Sequence, residues 1–192
     1  MTESTIAGHF ASHQRVIEEA AVQLAGPAAE VARVTVEALR AGRKVIAFGN
    51  GGSAAQASHL VGELLGRFHM TRQPFPAVAL SSDPGTVTCI SNDFGFDALF
   101  ERQAQALAEA GDVAFGFTTS GRSENVRRGL AAARARGATT VAVTGARGIV
   151  SGSADHVIAV PSEVTAHVQE VHLMLLHVWC IHIDEALGQA QS

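Results

Sequence analysis

Apolar residues in the first 42 positions recur at helical spacing: Val16, Ile17, Ala20 and Leu24, then Val31, Val34, Ala38 and Leu39. Gly26-Pro27 interrupts the pattern and Gly42 ends it, so the spacing predicts two helices before any strand. At 45–48 the pattern changes to a short, β-rich apolar run that enters a glycine loop (Gly49, Gly51, Gly52), and a helix is expected from about Ser53. After a linker at 69–76, residues 77–80 read as a second strand that stops at Ser81-Ser82-Asp83-Pro84. A helix over 85–91, a turn at Asn92-Asp93-Phe94-Gly95 and a helix over 96–108 follow. Residues 113–117, 139–143 and 157–160 complete the strands; a helix at 123–136 ends at Gly137, and the last helix spans 168–187. Strands alternating with helices predict an α/β fold in three layers, a five-stranded parallel sheet with helices on both faces. Ligands are expected at the carboxyl ends of the strands.

The 192 residues, 47% hydrophobic and 17% charged, suit a single domain over 1–192, with N-terminal helices in 1–42 and an α/β core in 43–192. A formal charge of −4 leaves no global basic footprint, which argues against nucleic acid as a partner. Cys89 and Cys180 are too few for a disulfide framework, and no charged segment followed by an apolar one precedes Ala11, so a cytoplasmic location is expected. The most apolar stretch, 168–187, is broken by Gln169, Glu170, three histidines, Asp184 and Glu185, which argues against a membrane span.

Candidate chemistry concentrates in two loops and two helices. Gly49, Gly51 and Gly52 let backbone approach a ligand closely, and the free N–H groups of the following helix favour an anion. Ser53 is placed to cap that helix and to offer a hydroxyl to the anion. The run Gly49-Asn50-Gly51-Gly52-Ser53-Ala54 also satisfies a dinucleotide-binding pattern, but the acidic residue expected ~20 positions on is missing, and Asp83 lies too far along. A second hydroxyl-rich loop, Thr118, Thr119, Ser120 and Ser123, follows the third strand and suits the oxygens of one phosphate monoester. His59 and Glu63 are four apart and share one helix face. The last helix sets Gln169, Glu170, His172, His177 and His182 among apolar residues, where imidazoles need partners. His59, Glu63 and one or two of these are candidates for a zinc-type nitrogen and oxygen site. His9, His13 and Arg15 are read as solvated, and 145–153 as an ordinary loop.

Taken together, Gly-Asn-Gly-Gly-Ser-Ala, then Ser-His-Leu-Val-Gly-Glu with Arg67, Asn92-Asp93, Thr119-Ser120-Gly121-Arg122-Ser123 with Asn125, and Gln169-Glu170 with His177 resemble the phosphoheptose isomerases of the SIS fold. The resemblance covers almost the whole chain. It implies a homotetramer with active sites at subunit interfaces and a sugar phosphate, sedoheptulose 7-phosphate, as substrate. It implies Glu63 and His177 as base and acid, and one Zn2+ per subunit on His59, Glu63, Gln169 and His177. Substrate contacts would fall on Asn50, Gly51, Gly52, Ser53, Arg67, Asn92, Asp93, Thr119, Ser120, Ser123 and Gln169. Some relatives carry an aspartate three residues before the glutamine, where this chain has Ala166. The alternative is a non-catalytic SIS protein that binds a replication initiator or senses a sugar phosphate. Relatives of the initiator-binding kind lack the helix glutamate and the second C-terminal histidine, both of which are present here.

Overall fold

A computed structural model describes residues 2–150 and 152–188. Five parallel strands form the centre: β1 (Val45–Gly49), β2 (Ala77–Ala79), β3 (Val113–Thr118), β4 (Thr139–Thr144) and β5 (His156–Ala159), in the order β2-β1-β3-β4-β5. Every residue of β1 and β3 is buried, as expected for inner strands covered on both faces. One face is packed by α1 (Glu3–Arg40), α2 (Gly52–Leu65) and α6 (Thr165–Leu187), the other by α3 (Pro84–Phe94), α4 (Leu99–Leu107) and α5 (Glu124–Ala135). Two separate apolar clusters result, one on each side of the sheet. The three layers and the five parallel strands agree with the expectation.

The strand order places the site. From β1 the chain turns to β2 on one side, and from β3 to β4 on the other, so the order reverses between β1 and β3. A crevice opens at the carboxyl ends of two strands where such a reversal occurs. The loops that leave these two strands are the glycine loop and the hydroxyl loop.

Four expectations are corrected. Residues 3–40 form one helix, not two, with Pro27 inside it. A proline there forfeits one backbone bond, at a cost of about 3 kcal/mol. Burial of Ala20, Leu24, Ala28, Val31 and Ala32 on both sides of it, with Trp179 Nε1 donating to Ala28 O at 3.1 Å, keeps the helix continuous through the proline. The turn at 92–95 shrinks to Gly95, at φ 85°. Asp83 caps α3 by accepting from Thr86 N at 2.8 Å, Pro84 starts it, and Asn92, Asp93 and Phe94 form its last turn. Ser53 does not cap α2: the cap position is Gly51, at φ 57°, and Ser53 lies buried inside the helix. His9 and His13 are not simply solvated, since both lie against Glu170 of α6. Of the 145–153 loop, Ser151 lies outside the described residues, as do Met1 and 189–192 of the proposed domain.

Candidate active site

The two loops are joined by side chains. Asn50 Nδ2 donates to Asn125 Oδ1 and Asn125 Nδ2 donates back to Asn50 Oδ1, both at 2.9 Å, which fixes the glycine loop against the first turn of α5. Close packing explains the glycines: a Cβ at Gly49 would meet Phe117 O at 2.8 Å, and one at Gly52 would collide with the amide of Gln169. On the hydroxyl loop, Ser123 stands at the start of α5 with its Oγ 3.2 Å from Thr118 Oγ1, and Ser120 Oγ accepts from Arg122 N at 3.2 Å. Thr119 and Ser120 also line a cavity of about 150 Å³ with Arg122, Ser162, Thr165 and Arg147, the last paired with Glu163 at 2.9 Å. Hydroxyls, helix N–H groups and a nearby guanidinium are the groups that hold a phosphate.

Two clamps set α2 beside α6. At one end Gln56 Nε2 donates to Gln169 O at 2.5 Å. At the other, Arg72 Nε donates to Asp184 Oδ1 at 2.6 Å, while its Nη1 and Nη2 donate to Leu64 O and Glu63 O at the end of α2. Both charged side chains are almost wholly buried. Burial opposes the charge of Asp184, but bonds from Arg72 and from the Met70 and His69 N–H groups, with the arginine charge, hold its carboxyl below the ordinary range.

Between the clamps, His59 and Glu63 of α2 meet His177 of α6. His59 Nε2 is 3.0 Å from Glu63 Oε1 and 3.3 Å from His177 Nε2, and one ligand atom from each residue falls within 4.8 Å of the others. Phe68 stacks on the His177 ring at 5.4 Å and fixes its plane. The Glu63 side chain is 23% exposed and that of His59 39%, so the cluster is open to a small molecule. Two imidazole nitrogens and a carboxylate oxygen converging on one point fit a zinc-type divalent ion. Gln169 belongs to the same helix but turns its amide to Gly52, about 12 Å of helix axis from His177.

The other candidates are dispersed. Arg67 is exposed on the segment after α2. Asn92 and Asp93 are exposed at the end of α3, with Asn92 Nδ2 donating to Asp93 Oδ1 at 2.7 Å, and neither has a hydrogen bond to the two loops among the described residues. His172 is a core residue: its Nε2–H donates to Thr144 O at 3.1 Å, and burial pushes its pKa down to about 4, which keeps it neutral. His182 is exposed. Sequence reasoning missed Gln56 and the pairing of Arg72 with Asp184. A signal for the latter existed, because Asp184 lies two helical turns after His177, on the same helix face.

Residues 8–145 match the SIS domain family. The chain is 50% identical over 157 residues to the phosphoheptose isomerase of Aquifex aeolicus, covering 81% of this chain and 82% of that one. Among solved structures, a phosphoheptose isomerase from Francisella tularensis superposes with a TM-score of 0.91 at 34% identity, covering 96% of this chain and all of that one. One from Neisseria gonorrhoeae gives 0.87 at 38% identity, over 95% and 98%.

Proposed function

We infer the reaction from membership: the chain belongs to the phosphoheptose isomerases of the SIS-domain family, which are aldose–ketose isomerases. We propose that it converts sedoheptulose 7-phosphate to D-glycero-D-manno-heptose 7-phosphate, the first step of nucleotide-activated heptose synthesis. The observation that carries the reading is the meeting of His59, Glu63 and His177 beside a crevice whose two loops suit a phosphate.

In this reading Thr119, Ser120 and Ser123 hold the phosphate with the backbone of Gly51, Gly52 and Ser53, while Asn50 keeps the loop in place. About 9 Å of helix axis separates Ser53 from His59, a span that a sugar chain covers between its phosphate and its carbonyl end. Glu63 binds His59 through Oε1 alone, which leaves Oε2 to take the proton from C1. The C1–H electron pair then forms the double bond of the enediol, and His177 delivers a proton to the C2 oxygen. Return of a proton to C2 and loss of one from the C1 hydroxyl give the aldose. His59, Glu63 and His177 would hold one Zn2+ per subunit, with Gln169 as the further ligand that the family resemblance implies. A divalent ion held by these residues would supply a Lewis acid for the carbonyl.

Arg67, Asn92 and Asp93 are assigned to a neighbouring subunit's substrate in a homotetramer. An apolar groove of about 430 Å³ between α1 and α6, lined by Ile17, Leu24, Met174 and Val178, supports packing against a second copy. No helix among the described residues is long and apolar enough to cross a membrane, and two unpaired cysteines suit a cytoplasmic setting. The test is incubation of the pure protein with sedoheptulose 7-phosphate. The aldose phosphate should appear, disappear after exhaustive chelation and return with zinc. A protein that leaves the ketose unchanged in the presence of zinc overturns the reading.

A further inference from the structure

About 10 Å along α6 from His177, a second group of imidazoles surrounds Glu170, separate from the His59, Glu63 and His177 cluster. Glu170 Oε1 is 2.8 Å from His9 Nε2, and Oε2 is 2.9 Å from His13 Nδ1 and 3.2 Å from His167 Nδ1. His9 and His13 are four apart on α1, and His167 and Glu170 three apart on α6, so each pair shares a helix face and the two faces meet.

The group holds too few protons to join all its contacts as hydrogen bonds. Ser12 Oγ donates its only proton to His9 O at 2.9 Å, so its other contact, with His167 Nε2 at 2.9 Å, is filled by an N–H of His167. In the neutral ring the His167 Nδ1 lone pair then faces the Glu170 carboxylate, one acceptor against another. His13 Nδ1 is buried, close to the same oxygen, and out of line for a hydrogen bond. Protonating His167 would repair one contact and leave His13 unbonded. A cation between the rings and the carboxylate uses both lone pairs.

We propose that His9, His167 and Glu170, with His13 closing in as fourth ligand, form a second divalent metal site of the zinc class that pins the start of α1 to α6. Ligand atoms of His9, His167 and Glu170 already lie within 4.8 Å of one another. Nitrogen-rich sets with one carboxylate suit Zn2+ and its neighbours, and the Ser12 hydroxyl is the outer partner that orients a ligating imidazole. His167 is buried while His9 is 43% exposed, so the ion enters from solvent and rests on a fixed base.

Elemental analysis of the full chain after equilibrium dialysis against Zn2+ tests this. His9→Ala/His13→Ala should retain one zinc per chain fewer than the parent, whatever the His59 cluster binds, and so should the volume-preserving Glu170→Gln. Equal zinc content in the parent and in both variants overturns the proposal. Should the double variant fail to fold, the Glu170→Gln comparison decides by itself.

Discussion

The two faces of the sheet are built from different materials. Against α3, α4 and α5 the packing is apolar: Ile46, Phe48, Leu80, Phe100 and Leu130 interlock, and Gly129 admits Phe48 and Phe100 to within 3 Å of where its Cβ would stand. Against α1, α2 and α6, polar groups enter the packing: Gln56, Arg72, His167, His172 and Asp184 each bond across elements. Apolar contact fixes distance but little else, whereas a hydrogen bond also fixes direction. One face is therefore a wall that reaches the crevice only at the start of α5, through Ser123 and Asn125, and the other aims side chains at the crevice along its helices. Such bonds are costly when broken, because a buried polar group left unpaired loses about 1–3 kcal/mol.

Variants on each face should separate these roles. Glu63→Gln, on the polar face, should lower kcat by about 10² to 10⁴, the range expected for a general base, while the thermal midpoint stays near the parent's. Steady-state kinetics beside calorimetry checks both halves, and a parental kcat would hand the base role to another group. Gly129→Ala, on the apolar face, should do the reverse. Its methyl would lie 2.7 Å from Phe100 Cβ, so an overpacking cost of about 1–3 kcal/mol is expected in denaturant unfolding, with kcat unchanged in the folded protein. Lost activity without lost stability would break the contrast.

A third effect is smaller and depends on pH. The unfolded chain takes up the His172 proton near pH 6.5 and the folded chain only near 4, so stability falls as pH drops through that window. Between pH 7 and 5 this residue should remove about 2 kcal/mol. His172→Gln, which cannot titrate, should lose that part of the pH dependence in urea titrations at the two pH values. An identical slope in the variant would mean that the imidazole is not held neutral.

Local patterns made the strands legible, because 45–48 and 113–117 are apolar runs closed by glycine or hydroxyl loops, and those runs became the buried centre. The loops themselves and the pair His59 and Glu63 could be read from spacing. What could not be read depends on long-range packing. Pro27 looked like a break because the cost of a helical proline is local, while the contacts of Leu24, Val31 and Trp179 that outweigh it come from α6. His9 and His13 looked solvated because Glu170 lies more than 150 residues away. The strand order, and with it the adjacency of the two loops, is likewise absent from any window of sequence.

The central claim is proton transfer through Glu63, and isomerisation in heavy water tests it most directly. The Glu63 side chain is 23% exposed, so a proton on its carboxyl is within reach of solvent. Sedoheptulose 7-phosphate converted in D2O should give an aldose phosphate carrying deuterium at C2, read by mass spectrometry and proton NMR, and Glu63→Gln should give neither the product nor the label at the parental rate. An aldose in which the hydrogen from C1 arrives at C2 undiluted by solvent deuterium would contradict the account.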